Sequence, residues 1–439
     1  MSFLSILVVA LITALPVRAE VKIQEVVSPG GITAWLVEEP TIPFMALELR
    51  FRGGGSLDRP EKRGALNLMT GLLEEGAGEL DSRGFARALE DLAATFKYDL
   101  NADALSISAK FLTENRGDAI DLLRSSIVEP RFDEADVERV RSQVLAGLLS
   151  DTTNPDSIAR AAFNSMTFGD HPYATKLTGT NESVSALTRA DLVAAHGDVF
   201  AKDRLYVGAV GDITPAELGV LLDKLLGDLP QTGAAQPQAA DVTITAGVTV
   251  VEFDTPQSVA LFGQKGIGLD HPDYFAVNVL NQVLGGGSFE SRLMNEVREK
   301  RGLTYGVSSF LVPSDHAATY QGHVASANDK IAEAISVIRD EWRKASEDGV
   351  TADELRDAKT YITGAYPLRF DGNGPIARIM VGMQMIGLPI DYIATRNDKV
   401  EAVTFEDVKR VAGDLLDADG LQFVVVGKPE GLKAGPFKD

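Results

Sequence analysis

A chain of 439 residues with 45% hydrophobic content is longer than one hydrophobic core supports, so two or more domains are expected and a disordered polypeptide is excluded. The formal charge of −21 makes nucleic acid a poor partner and fits solubility or a preference for cationic peptides. Cysteine is absent, which excludes a disulfide framework, a thiolate metal site and a cysteine nucleophile.

Residues 3–15 form an apolar run of signal-peptide length, followed by Pro16 and the small-residue pattern Val17-Arg18-Ala19 before Glu20. This predicts cleavage after Ala19 and an exported, periplasmic protein. No later stretch approaches twenty uninterrupted apolar residues, so no integral membrane segment is expected.

The first half then reads as alternating elements. Met45, Leu47, Leu49 and Phe51 mark a strand, and a helical period follows over about 61–73. Leu105, Ile107, Ala109 and Phe111 mark a second strand, with helices over 118–127 and 133–149. His171-Pro172-Tyr173 and Gly179 read as a structural turn. Thr188 caps a further helix that leads into the apolar strand Tyr206-Val-Gly-Ala-Val-Gly211.

The second half repeats this order. Thr404-Phe-Glu-Asp-Val, Gly413-Asp414 and Phe423-Val-Val-Val-Gly427 align without gaps with Thr188-Arg-Ala-Asp-Leu, Gly197-Asp198 and the strand ending at Gly211. Upstream, a strand over 259–263, a helix over 274–284, a strand over 319–325 and helices over 330–345 and 352–365 match their counterparts. Phe370-Asp-Gly-Asn-Gly-Pro375 reads as a polar loop between helices. Residues 230–241, rich in Ala, Gln and Pro with no apolar period, read as a linker. The expected fold is α+β, with two homologous domains over 20–229 and 242–439. Each is an antiparallel-rich sheet with helices on one face, and the two form half of a clamshell on a flexible hinge.

Gly285-Gly286-Gly287-Ser288 opens a helix expected over 289–298, with Ser288 able to cap it and Gly302 placed for its C-terminal turn. Arg298 then ends the helix and Tyr305 begins a strand, so the two side chains can converge. A permanent cation and a neutral hydroxyl suit a peptide carbonyl that becomes an oxyanion. The glycine run lacks the G-x-x-x-x-G-K-[ST] pattern of a phosphate loop.

The whole stretch GGGSFESRLMNEVREKRGLTYGV resembles the C-terminal signature of the pitrilysin/insulinase family of zinc peptidases, which includes chains like those of mitochondrial processing peptidase. The resemblance implies that Arg298 and Tyr305 reach substrate across a chamber, with the glycine run beside it. It also implies a catalytic helix H-x-x-E-H elsewhere. At the matching place, GALNLMTGLL, the two histidines fall on Asn67 and Gly71 and the glutamate on Thr70. The later carboxylate ligand falls near Ala146 or Gly147. None of these residues binds zinc or acts as a base near neutral pH. Gly71 inside a helical pattern costs about 1 kcal/mol relative to Ala, which fits either close packing at that point or a helix that has drifted after losing its site. The five histidines, His171, His196, His271, His316 and His323, show no i,i+4 or i,i+2 pairing and are read as structural, at loop or helix ends.

The resemblance therefore implies a non-catalytic subunit of a heterodimeric zinc peptidase, with no cofactor of its own. Zinc is expected in a homologous H-x-x-E-H partner, and peptides are the substrates. The competing reading is a non-proteolytic peptide-binding or scaffold protein, as a homodimer or a complex core subunit. A stand-alone hydrolase finds no G-x-S-x-G elbow to support it.

Overall fold

The computed structural model describes residues 22–287, 290–432 and 435–436. The expected leader, residues 1–19, and Ser288 lie outside them.

The N-terminal half runs β1 (Gln24–Val27), β2 (Thr33–Glu38), β3 (Phe44–Arg52), α1 (Ala65–Thr70), the small ribbon β4 (Gly76–Ala77) and β5 (Leu80–Asp81), α2 (Ser82–Asp91), β6 (Thr95–Leu100) and β7 (Ala104–Leu112). It continues through α3 (Arg116–Val128), α4 (Glu134–Asp151), α5 (Pro155–Phe168), α6 (Asn181–Ser185), α7 (Arg189–Val199), β8 (Leu205–Gly211) and α8 (Pro215–Leu226). The C-terminal half runs β9 (Gly247–Glu252), β10 (Gln257–Lys265), α9 (Tyr274–Leu284), a π-helical turn (Met294–Glu299), β11 (Thr304–Pro313), β12 (Ala318–Ala327) and α10 (Ile331–Asp348). Then follow α11 (Ala352–Ala365), α12 (Asn373–Met385), α13 (Tyr392–Glu401), α14 (Phe405–Leu415), β13 (Gln422–Gly427) and β14 (Gly435–Pro436).

The strands build two six-stranded sheets, ordered β1-β2-β8-β3-β7-β6 and β11-β12-β10-β13-β9-β14. Read from opposite ends they superpose strand for strand, β6-β7-β3-β8-β2 onto β11-β12-β10-β13-β9. Both are mostly antiparallel, with β2 parallel to β8 and β9 parallel to β13. The repeat visible in the sequence has a local basis: Thr188 and Thr404 each cap their helix and are capped in return by Asp191 and Asp407.

Each half packs its own helices on one face of its sheet. The opposite face is covered by a helix from the other half. Ala159, Ala162 and Phe163 of α5 pack against Val259 and Leu261 of β10 and Val424 and Val426 of β13. Met380 and Met383 of α12 pack against Trp35 of β2 and Val210 of β8. Alternate residues of those strands, Ala260, Phe262, Phe423 and Val425, face the half's own core. Burial on both faces is why these strands read as unbroken apolar runs rather than alternating ones. Two strand glycines permit the approach. A Cβ on Gly208 would stand 2.7 Å from the carbonyl oxygen of Ala377, and one on Gly263 would stand 2.8 Å from the Phe163 ring.

Polar contacts reinforce the join. The Tyr173 hydroxyl donates to Asp103 and accepts from the His316 amide at 3.2 Å, while the Asp315 amide donates to the second Asp103 oxygen at 3.2 Å. His323 on β12 meets Asp156 on α5 at 2.7 Å. Residues 230–241 form neither helix nor strand, but they are pinned along the surface. Lys202 and Ala240 amides donate to Pro230 and His316 carbonyls at 3.0 and 2.8 Å, and the Ala234 amide to Asp198 at 2.9 Å. A flexible hinge between the halves is therefore corrected: two exchanged helices and a pinned connection hold them together.

The helix expected over 61–73 is also shorter than its apolar period. A 3-10 turn (Pro60–Lys62) is followed by Gly64 in the left-handed region at φ +88°, and only Ala65–Thr70 are α-helical. A Cβ on Gly64 would lie 2.6 Å from the Thr178 carbonyl oxygen, which fixes a glycine there. Asp58 holds the start of α1, accepting from the Gly64 and Leu66 amides at 2.7 and 2.9 Å. Burial pushes its carboxyl up to about 6, although those amides and Arg63 favour the charged form.

Two outcomes are expected. Proteolytic nicking within 230–241 should leave both fragments co-eluting on size exclusion, and Phe163→Ala should cost about 3–5 kcal/mol of unfolding free energy; fragments that separate would contradict the exchanged-helix join. Because the folded value of Asp58 lies above the unfolded one, it adds stability as pH falls through about 6 towards about 4 and loses that contribution as pH rises. The stability advantage of the wild type over Asp58→Asn in urea titrations should thus be larger at pH 4 than at pH 7, by about 2 kcal/mol. A pH-independent difference would count against that assignment.

Candidate functional site

The degenerate metal helix is α1. Asn67 is half-buried, and the Thr70 hydroxyl is turned back on its own helix, donating to the Leu66 carbonyl at 2.7 Å. Gly71 is the C-cap, with its amide donating to Asn67 at 3.2 Å. It is therefore not a helix-interior glycine, and the interior cost expected for it does not apply. A Cβ there would approach Val140 of α4 at 3.3 Å, so close packing explains the residue. Further along α4, Ala146 and Gly147 are exposed, and nothing lies within 4 Å of a Cβ built on Gly147. These residues do not fit a zinc ion: one amide, one internally bonded hydroxyl and two positions without donors offer no ligand set. Among the described residues no group of three His, Asp or Glu side chains could hold a metal.

Three of the histidines bond to backbone groups. His196 lies within α7, with Nε2 at 2.7 Å from the Ile127 carbonyl oxygen, and burial lowers its pKa. His171 lies by Tyr173, its Nδ1 accepting the Tyr173 amide at 3.2 Å, and His271 accepts the Asp273 amide at 3.1 Å. Gly179 has φ +78° and sits against the Arg63 carbonyl, as a turn glycine does.

The glycine-rich corner is built by close approach. Gly285 ends α9, and its carbonyl accepts the Ser309 amide of β11 at 2.8 Å. A Cβ at Gly285 would stand 2.6 Å from the Ser309 hydroxyl, and one at Gly286 would stand 2.7 Å from Gln282. Gly287 has φ +83° and open space around it. Helical structure expected over 289–298 begins at Arg292 and widens into the π-helical turn, where the Lys300 amide donates five residues back to Asn295 at 2.9 Å. Leu293 and Val297 anchor it in the core. Arg292, which the sequence did not single out, clamps the turn: its guanidinium donates to both Glu354 oxygens at 2.7 Å and to the Gly349 carbonyl at 3.0 Å. That pair spans two distant segments, so no local pattern announces it.

Arg298 sits near the end of this turn, partly exposed, with Nε 3.4 Å from Glu299. The Gly302 amide caps it, donating to the Arg298 carbonyl at 2.8 Å with Gly302 at φ +59°. Across the corner, the β11–β12 pairing is irregular between Thr304 and Val307. The Thr304 hydroxyl fixes the irregularity, lying 2.6 Å from the Ala325 carbonyl oxygen and 3.0 Å from the Gly306 amide. Tyr305 is thereby lifted off the sheet, 88% exposed. The corner thus presents Tyr305 outward from a helix-turn-strand unit, with Arg298 partly exposed at its turn.

Comparison with known proteins places the fold in a family. The family model described as Insulinase (Peptidase family M16) matches residues 34–181, and the model described as Peptidase M16 inactive domain matches residues 186–362. A Helicobacter pylori protein named non-peptidase homolog YmxG is 29% identical over 393 residues, 89% of this chain and 90% of its own. An uncharacterized zinc protease of Mycobacterium leprae is 26% identical over 394 residues, 89% of this chain and 88% of its own. A crystal structure of a peptidase M16 inactive domain from Pseudomonas fluorescens superposes with a TM-score of 0.87 at 29% identity, covering 95% of this chain and 100% of that one. With the two models lying end to end along one continuous fold, this chain belongs to the insulinase family of peptidases, M16, as a member without the H-x-x-E-H ligands.

Proposed function

We propose that this chain is the exported, non-catalytic subunit of a two-chain zinc peptidase, acting in the periplasm with a homologous partner that carries H-x-x-E-H. The observation that carries the reading is the solvent-presented Tyr305, seven residues after Arg298 across one helix-turn-strand corner, in a chain whose own metal helix holds Asn67, Thr70 and Gly71. Donors of that kind act on a peptide only when a hydrolytic centre faces them, and among the described residues no group of side chains could hold the metal of one.

Bound in the partner, zinc supplies the hydrolytic chemistry. This chain closes the peptide chamber and steadies the scissile carbonyl. The Arg298 guanidinium and the Tyr305 hydroxyl donate to the carbonyl oxygen as negative charge builds on it. Gly287, with no neighbour around its Cβ position, lets a peptide backbone pass close to the chain. No helix among the described residues is long and apolar enough to cross a membrane.

Peptide hydrolysis should be absent from either chain alone and appear on mixing. Arg298→Ala and Tyr305→Phe should each lower turnover of the complex by about 10²-fold while assembly, read by size exclusion, is unchanged. Unchanged turnover in both variants would remove these residues from the site. Recovery of the tagged chain from the cell envelope with no H-x-x-E-H companion would favour the non-proteolytic scaffold instead.

A further inference from the structure

Between the two halves lies a cavity of about 400 Å³, a size typical of small-ligand sites. It is walled on one side by α5 and the segment after it, and on the other by the β11–β12 hairpin. Phe168, Leu177, Phe310 and Val312 give it an apolar lining. Arg160, Asn164, Gln321 and Ser56 supply its polar groups.

The charges in this cavity do not cancel. Lys176 is matched by Asp151 at 3.3 Å, and Asp151 also accepts from the Ser157 hydroxyl at 2.9 Å. Arg160 projects from the middle of α5, and among the described residues its guanidinium has no carboxylate or carbonyl partner, in a chain of net charge −21. One further group awaits a partner. Gln321, which is buried, spends its amide N–H on the Thr319 hydroxyl at 2.9 Å, which leaves its carbonyl oxygen to accept.

We propose that this cavity binds the C-terminal end of a peptide, with its free carboxylate on Arg160, its last backbone amide among Gln321 and Asn164, and an apolar final side chain against Phe168, Leu177 and Phe310. A planar guanidinium pairs with a carboxylate through two parallel hydrogen bonds, which neither an amide nor an ester reproduces. A phosphate-bearing ligand would need more donors than one unmatched cation. An uncharged apolar ligand would leave Arg160 and Gln321 unused.

The ligand class rests on the reading of this chain as a peptide-handling subunit, but the test uses the chain alone and is separate from turnover of the complex. The full mature chain is titrated calorimetrically with acetyl-Ala-Phe-Leu, with its C-terminal amide, and with acetyl-Ala-Glu-Leu-amide, whose only carboxylate is internal. The free acid should bind at least tenfold more tightly than either amide. Arg160→Gln, a change on an exposed helix position, should bring the free acid down to the level of the amides, with the circular dichroism spectrum and the urea midpoint unchanged. Equal binding of acid and amide, equal binding of the internal glutamate peptide, undiminished binding by Arg160→Gln, or no binding of any peptide would each overturn the proposal. Loss of peptide binding in Arg160→Gln with hydrolysis intact, or the reverse in Tyr305→Phe, tells the two sites apart.

Discussion

The constraint on which the rest of the molecule depends is that neither sheet can hide both of its faces with its own helices. β10 and β13 are apolar on both sides, as are β2 and β8, and each pair is finished by one helix sent across from the other half. The glycine-rich corner inherits its placement from that exchange. Through β10 and β12 the crossing of α5 fixes β11, on which Tyr305 stands, and α12 fixes β3 and β8 behind α1. Fully buried Phe163 and Met380 show how completely the exchanged helices are absorbed into foreign cores. The unit that moves, if a chamber opens, is therefore the whole chain rather than one of its halves.

Chemistry is distributed unevenly over this frame. Around α1 the Thr70 hydroxyl is absorbed by its own helix, and Gly71 is fixed by its contact with Val140. At the opposite corner the polar groups that do structural work, Arg292, Glu354 and Thr304, are buried or half-buried and fully bonded, and what they hold in place faces outward. A bidentate ion pair and an irregular strand start are costly ways to present one tyrosine unless its position matters. The two places thus differ in how their side chains are bonded, not merely in which residues they hold.

Much of this was legible in the sequence. Helices α9 and α11 fall on the expected residues because their apolar periods are unbroken, and the paired Thr-x-x-Asp caps make the internal repeat visible from residue identity alone. The loss of ligands at Asn67, Thr70 and Gly71 was legible too, for the same reason. Other features were not. Apolar residues around Gly64 kept helical spacing, while its left-handed backbone, demanded by the Thr178 carbonyl, cut the helix short. The π-helical turn leaves no mark on a pattern read at 3.6 residues per turn, because Leu293 and Val297 serve either register. Strands such as Phe423-Val-Val-Val announce two-sided burial without naming what covers the second side. The Arg292 clamp and the unmatched charge of Arg160 depend on contacts between distant segments, which no window of sequence contains.

The exchange of α5 and α12 also bears on how such a chain could arise. A single repeat, folded by itself, would carry one uncovered sheet face and one helix with nowhere to pack, and the two are complementary. Such a polypeptide satisfies itself by pairing with a second copy through a two-fold axis, each lending its helix to the other. Joining two copies through a stretch like 230–241 turns that dimer contact into an intramolecular one at high effective concentration, after which the two copies are free to diverge. The shared strand order of the two sheets fits that arrangement, in which neither lent helix can be withdrawn without uncovering the sheet face it covers.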